Sequence, residues 1–155
     1  MKSLQEIVEV EARYTGSDGE ATLGKAYEML LQRWRSGARD LETGLRLLFL
    51  AWYSVTEPPS LTGLSFDFSP YDTVDEVFRF FGGESISEPE LLACIGFMAT
   101  IAPYGLGQDE EAWERIGKDF TRRGPRIGEI LKPLSDKIKD FEKYNKLTEY
   151  LLKKI

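Results

Sequence analysis

The chain has no histidine and only one cysteine among its 155 residues. Without histidine, neither a Ser-His-Asp triad nor a Cys-His pair can form, and a histidine-based zinc site is excluded. A single thiol is also too few for a thiolate metal site. The lone Cys94 lies in the apolar stretch LLACIGFMATIA, which predicts a small core residue in a reduced, cytoplasmic protein.

Motifs that bind nucleotides or calcium are also missing. Gly105-x-Gly107 lacks the third glycine and the preceding strand of a dinucleotide-binding motif, and the sequence contains no P-loop. No spacing of Asp, Asn and Gly matches a calcium-binding loop. The sequence therefore predicts no cofactor, and it favours a binding protein over an enzyme.

Long apolar runs are absent. The N-terminal MKSLQEIVEVEARY has no uninterrupted apolar segment of the kind that signal peptides carry. No run of about 18 apolar residues is present, so we expect no membrane span. The 19 aromatic residues, nine Phe, seven Tyr and three Trp, argue against disorder and predict a soluble domain with a folded core.

The most apolar stretch present is Leu41 to Val55. Apolar side chains cover almost every side of the helix that it predicts, and a helix of this kind must be surrounded by protein or lipid. It is too short, and too interrupted by Glu42 and Arg46, to cross a bilayer. We therefore predict the central helix of an all-α domain, capped by Asp40.

Periodicity and capping signals predict the other helices. Residues 4–14 begin with a capping box at Ser3 and Glu6, although their alternating pattern fits a strand as well. Further helices are predicted at 20–36, 70–82, 87–102, 110–123 and 126–154. Ser17–Glu20 and Ser87–Glu90 are the expected starts of two of them.

These segments predict six to seven helices in one domain spanning 1–155. We pair them as three αα-hairpins, 20–36 with 41–56, 70–82 with 87–102, and 110–123 with 126–154. Glycine turns at Gly37, Gly82 and Gly124 recur at a spacing typical of two-helix repeats. A compact bundle and a short solenoid-like stack are both consistent with this pattern.

Charge is distributed unevenly along the chain. Residues 1–114 contain 20 Asp and Glu against 8 Lys and Arg (net −12), whereas 115–155 contain 6 against 12 (net +6). We expect the basic C-terminal helix at 126–155 to pack on the acidic body or to mediate dimerisation. Acids interspersed in it make nucleic-acid binding an unfavoured alternative.

Three carboxylates are the candidates for chemistry. Glu57 directly follows the apolar helix, so it is expected either to be partly buried with a raised pKa or to brace the turn. Asp109 and Glu111 belong to an acidic first helical turn, where acids complement the helix dipole. An enzyme that uses these three acids, with or without magnesium, is the alternative to a binding function.

Two connections rich in proline and glycine carry large side chains. The segments EPPSLTGLSFDFS and APYGLGQDEE each follow an apolar helix, and their side chains either fold over the core or form a recognition surface. The main hypothesis is a small cytosolic protein-binding module (an adaptor, an inhibitor or a toxin-neutralising protein) whose partner is basic or has an apolar patch. The predicted partner-binding residues are Glu57, Leu61, Leu64, Phe66, Phe68, Tyr104, Leu106, Asp109 and Glu111. A self-associating structural protein is the remaining alternative.

Overall fold

The structure, a computed structural model, describes residues 2–13, 22–57, 62–64 and 69–125. Within these ranges every regular element is helical, which confirms the predicted all-α fold. The helices are α1 (Leu4–Ala12), α2 (Leu23–Arg35), α3 (Leu41–Thr56), α4 (Pro70–Phe80), α5 (Pro89–Ile101) and α6 (Glu110–Arg123). Two 3₁₀ turns lie at Gly83–Ser85 and Pro103–Gly105.

Capping residues account for several helix starts. Ser3 and Glu6 form the predicted capping box, in which the Glu6 backbone N–H donates to Ser3 Oγ at 3.2 Å. Residues 4–12 are therefore helix and not strand. Asp40 caps α3 as predicted, because its Oδ1 accepts from the Thr43 backbone N–H at 2.9 Å.

The start of α5 differs from the prediction by one residue. Its N-cap is Glu88 and not Ser87, because Pro89 takes the first helical position, where a missing N–H costs nothing. The predicted capping box at Ser17 and Glu20 lies outside the described residues. So does the predicted helix at 126–154.

Helix α3 forms the centre of the core, as its composition predicts. From Thr43 to Ser54 every residue is buried, and both Phe49 and Trp52 are 0% exposed. Helices α2, α4 and α5 and the Pro103–Gly105 turn all contact it. Despite this apolar centre, none of the described helices has the length and hydrophobicity that a bilayer crossing requires.

The helices form a bundle, but one predicted hairpin is wrong. Helices α2 and α3 pack on each other, as expected for 20–36 with 41–56. Helix α4, however, packs on α3, and α5 packs on α6 in the most extensive helix–helix interface of the described chain. The expected 70–82 with 87–102 pair therefore has few residues in contact. The third predicted pair cannot be placed, because 126–154 lies outside the described residues.

Small residues allow α5 and α6 to approach closely. A Cβ atom added to Gly117 of α6 would lie 2.6 Å from Ala99 Cβ of α5, and one added to Gly96 would lie 2.9 Å from Thr121 Oγ1. Neither position could hold a side chain without separating the helices. The small residues thus allow a closer α5–α6 contact than larger side chains at these positions would permit.

The connection between α3 and α4 is anchored in its middle. Thr62 is 0% exposed and Leu64 is 1% exposed. The Gly63 carbonyl oxygen lies so close to Gly24 at the start of α2 that a Cβ on Gly24 would overlap it. This segment is therefore part of the core.

Candidate functional site

The end of α3 and the Pro103–Gly105 turn form one joined structure. Trp52 Nε1–H donates to the Ala102 carbonyl at 3.0 Å. Gly105 lies against the Trp52 ring and the Thr56 methyl group, at distances that exclude a side chain at position 105. The turn is thus packed against the C-terminal end of α3.

Tyr104, the middle residue of this turn, is exposed to solvent. Its side chain is 47% exposed, one of two large hydrophobic side chains so exposed among the described residues. Its backbone is fixed from a second direction, because the Tyr71 hydroxyl of α4 donates to the Tyr104 carbonyl at 2.8 Å. Tyr104 is therefore an exposed aromatic ring on a rigid backbone.

Two other predicted contact residues do not lie on the surface. Leu64 and Leu106 are each 1% exposed and belong to the hydrophobic core. Of the two predicted alternatives, these side chains fold over the core, because burying an apolar side chain is more favourable than leaving it in water. The placement of Leu61, Phe66 and Phe68 lies outside the described residues.

An open cleft of about 320 Å³ adjoins the turn. Helix α5 contributes one wall and α6 the other, with Pro103 at the base; the lining residues are Ala99, Thr100, Pro103, Glu110, Glu114 and Lys118. Glu110, Glu114 and Lys118 are four residues apart and therefore share one face of α6. We call Tyr104 and these cleft-lining residues the Tyr104 surface.

The two carboxylates in this cleft differ from Asp119 of the same helix and from Glu84 of the Gly83–Ser85 turn, which are both paired with arginine. Asp119 lies within 2.6 Å of Arg122 and 2.9 Å of Arg123, and Glu84 bonds to Arg115 at 2.6 Å. Among the described residues, Glu110 and Glu114 form no ion pair within 4.0 Å, even with Lys118 in the same cleft. Their negative charge is available to a ligand from outside.

Glu57 is half-buried at the C-terminal end of α3. Partial burial raises the pKa of its carboxyl group above the ordinary value, which is one of the two alternatives that its position after an apolar helix suggested. Its backbone N–H donates to the Tyr53 carbonyl at 2.9 Å and ends the helix. Glu57 thus ends α3 through its backbone and carries a partly buried carboxyl group that holds a proton more tightly than an ordinary glutamate.

Asp109 and Glu111 have different roles. Asp109 caps α6, because its Oδ1 accepts from the Ala112 backbone N–H at 3.1 Å. Glu111 is exposed in the first turn of α6. Within the described chain, no three Asp, Glu or Cys side chains come together in a group that could hold a metal ion. The fold therefore does not assemble Glu57, Asp109 and Glu111 into a shared magnesium site.

Two features were missed by reasoning from the sequence. Arg46 in the middle of α3 is 1% exposed and pairs with the buried Glu11 of α1 and with Glu42. The signal was a cation inside an otherwise apolar helix, which must find a partner when it is buried. The second feature is Phe80 of α4, which is 49% exposed.

Comparison of the chain with protein families, curated proteins and solved structures finds no match. Its function therefore has to be argued from its own geometry and electrostatics.

Proposed function

We propose that this protein is a small cytosolic protein-binding module whose Tyr104 surface captures a basic partner, in the manner of an adaptor, an inhibitor or a toxin-neutralising protein. The supporting observation is the exposed Tyr104 on its fixed backbone beside two carboxylates that lack ion-pair partners among the described residues. The partner would place an arginine or lysine in the cleft and an apolar group on the tyrosine ring.

Rigidity favours Tyr104 as the anchor of such an interface. Its turn is bonded to both α3 and α4, so little backbone freedom is lost on binding. Tyrosine is also enriched among residues that contribute most to interface energy, since its ring buries a large area with few rotatable bonds. A single truncation at this position is thus expected to weaken the complex strongly.

The charge of the cleft favours a basic partner. A guanidinium or ammonium group between Glu110 and Glu114 would gain charge-assisted hydrogen bonds that no described residue now supplies. The net charge of −12 over residues 1–114 would speed the approach of a basic protein at low salt.

Affinity capture from the native lysate tests the proposal. Tyr104→Ala and the double variant Glu110→Lys/Glu114→Lys are compared with the wild-type protein. The double variant Glu9→Lys/Glu28→Lys is the matched control, because it changes the net charge equally at positions of α1 and α2 away from the cleft. We expect the wild type and the control to retain the same partner, and both Tyr104-surface variants to lose it.

Two results would contradict the proposal. One is a wild-type capture that contains nothing beyond a charge-matched unrelated protein. The other is a partner retained equally by all variants, which would assign binding to a different surface. Raising the salt concentration should weaken capture, because screening reduces the attraction between exposed charges.

A further inference from the structure

Residues 143–155, KYNKLTEYLLKKI, have the chemistry that the Tyr104 surface favours in a partner, and we call them the C-terminal segment. Four lysines against one glutamate give the segment a net charge of +3. Its large apolar and aromatic side chains are Tyr144, Leu147, Tyr150, Leu151, Leu152 and Ile155. The preceding residues 126–142 contain four cations and four acids and are neutral. The positive charge that follows the described body is therefore concentrated in this segment.

The Tyr104 surface is acidic. The acids in or directly before the first two turns of α6, and the one cation among the residues that line the cleft, are Asp109, Glu110, Glu111 and Glu114, with Lys118. Arg115 of the same helix is paired with Glu84, whereas Glu110 and Glu114 form no ion pair with any described residue. Beside them lies the exposed ring of Tyr104. A basic segment with aromatic and apolar side chains complements this surface in both respects.

The C-terminal segment has the right length of chain to reach the cleft. Pro125 follows α6 directly, and the positions of Glu114 and Glu110 lie about 16–23 Å back along the helix, at about 1.5 Å per residue. Residues 126–142 number 17. Such a stretch measures about 25 Å as a helix and about 21–25 Å, as an r.m.s. distance, when it is a flexible coil. Both lengths match the distance to the cleft, and a tethered group has its highest effective concentration under that condition.

We propose that residues 143–155 occupy the Tyr104 surface of their own chain, with lysines at Glu110 and Glu114 and an apolar side chain on the Tyr104 ring, so that a foreign partner has to displace them. This regulation rests on the proposed function, because it concerns the same surface. A tether of this length gives an effective concentration on the order of 1 mM. Even a contact of millimolar affinity would then be occupied about half of the time, which would weaken the binding of a foreign partner about twofold.

The tether also favours the chain's own segment over that of a second copy. Both segments are chemically identical, so only their concentrations at the surface differ. A second copy supplies the segment at the concentration of the protein in solution, whereas the chain's own segment is present at an effective concentration on the order of 1 mM. Below that protein concentration the contact within one chain is therefore the dominant one.

Paramagnetic relaxation enhancement in the full-length chain tests the contact. The natural Cys94 is 0% exposed, and burial raises the pKa of its thiol to about 12, so a nitroxide reagent should react selectively with a cysteine introduced by Thr148→Cys. We expect the nitroxide to broaden the amide signals of Gly105 and Ala112 strongly. The amides of α1, which packs on α2, are the internal control and should be broadened much less. Added salt should reduce the difference, because it screens exposed charges.

Neutral substitutions show whether the lysines are responsible. The test variant carries glutamine in place of the lysines of the segment: Lys143, Lys146, Lys153 and Lys154. The matched control carries glutamine in place of the four basic residues of 126–142: Arg126, Lys132, Lys137 and Lys139. Both variants lower the net charge by the same amount. The test variant should lose the excess broadening at Gly105 and Ala112, and the control should keep it.

A charge exchange identifies the surface that the lysines contact. Glu110→Lys/Glu114→Lys should abolish the excess broadening, because it turns the attraction into repulsion. Glutamate in place of the same four lysines should abolish it as well. Combining the two sets should restore it, since opposite charges then face each other again. Circular dichroism shows whether each variant retains its helices, so that loss of folding is not mistaken for loss of contact.

Three outcomes would overturn the proposal. The first is equal broadening at Gly105, Ala112 and α1 in the nitroxide-labelled chain. The second is broadening that appears equally when the nitroxide is on an unlabelled chain mixed with an isotope-labelled chain, which would assign the contact to a second copy. The third is a combined charge variant that stays folded without regaining the broadening.

These measurements need no foreign partner, so failure of this contact and failure of the proposed function are distinguishable. Partner capture without the excess broadening would leave the Tyr104 surface to a foreign protein alone. Excess broadening without a captured partner would support the contact and count against the proposed function. Where both are found, the test variant with four glutamines should bind the captured partner at least about twofold more tightly than the matched control.

Discussion

Arg46 of α3 and Glu11 of α1 form an ion pair inside the protein, with 2.7 Å between Arg46 Nη1 and Glu11 Oε2 and with side chains that are 1% and 0% exposed. Glu42 bonds to the same guanidinium at 3.0 Å and remains 35% exposed. Removing a charge from water is costly unless it is paired. The contact therefore joins the first helix to the central one.

Replacing Arg46 should destabilise the protein more than any surface substitution. Arg46→Met leaves the Glu11 carboxylate buried without its cation, and we expect a loss of about 3–5 kcal/mol in the free energy of unfolding. Urea denaturation followed by circular dichroism measures it. Glu42→Ala is the control and should cost less than about 1 kcal/mol, because this pair is partly exposed. A loss for Arg46→Met as small as that of the control would contradict the prediction.

Glu57 should make the protein less stable as the pH rises. Burial raises its pKa in the folded state, so the folded state binds a proton more tightly than the unfolded state. Keeping the ionised Glu57 carboxylate partly buried costs folding free energy. This cost is absent at pH values below the pKa of Glu57 in the unfolded state, and it is fully present above the pKa of Glu57 in the folded state. Glu57→Gln should thus be more stable than the wild type at neutral pH and equal to it in acid.

Carbon-detected NMR titration checks the cause directly. The Glu57 carboxyl group should titrate above the ordinary value for glutamate. Glu6 is the internal control, because hydrogen bonds from the Ser3 backbone and side chain lower its pKa. The two groups should therefore depart from the ordinary value in opposite directions, and a Glu57 pKa at or below that of Glu6 would refute the argument.

The close contact between α5 and α6 can be tested by adding a methyl group to one helix and then removing the facing methyl group from the other. Gly117→Ala places two Cβ atoms 2.6 Å apart, and the strain should cost about 1–3 kcal/mol. The double variant Ala99→Gly/Gly117→Ala moves the methyl group to the other helix and should recover most of this loss. Thermal unfolding of the single and double variants measures the coupling. Equal stability of Gly117→Ala and the wild type would show that the helices are farther apart.

Trp52→Phe should loosen the turn that presents Tyr104. The substitution removes the indole N–H that donates to the Ala102 carbonyl at 3.0 Å. The Gly105 amide remains as a donor to this carbonyl, so the loss of one hydrogen bond should cost about 0.5–1.5 kcal/mol. Hydrogen exchange of the Gly105 and Leu106 amides, which bond to the Ala102 and Pro103 carbonyls, should accelerate. Exchange in α1 is the control and should not change.

Local patterns predicted the helices well, since they report which face of a segment is apolar and where capping residues lie. The bounds of α3, the capping box at Ser3 and the cap at Asp40 all followed from neighbours within a few residues. The packing partners of each helix, in contrast, depend on how well its surface fits the surfaces of helices that are far away in the sequence. For this reason the α5–α6 contact through Gly96 and Gly117 was not predicted.

The candidate site was predicted only in part, for the same reason. Proline, glycine and apolar residues identified the connections, but they could not decide between Tyr104, which is exposed, and Leu106 two residues later, which is buried. The partner of Arg46 could not be inferred either, because Glu11 lies 35 residues away. Phe80 and Phe81 are adjacent aromatics, and only packing shows that Phe80 is the more exposed.

The anchored segment Thr62–Leu64 has a consequence for protein engineering. Because its Gly63 carbonyl lies against Gly24 and its flanking side chains are buried, the route from α3 to α4 consists of two short spans joined at a fixed point. A foreign peptide could be inserted in one span while the other keeps its length. A protease nick within either span would likewise leave both chain fragments attached to the same folded body.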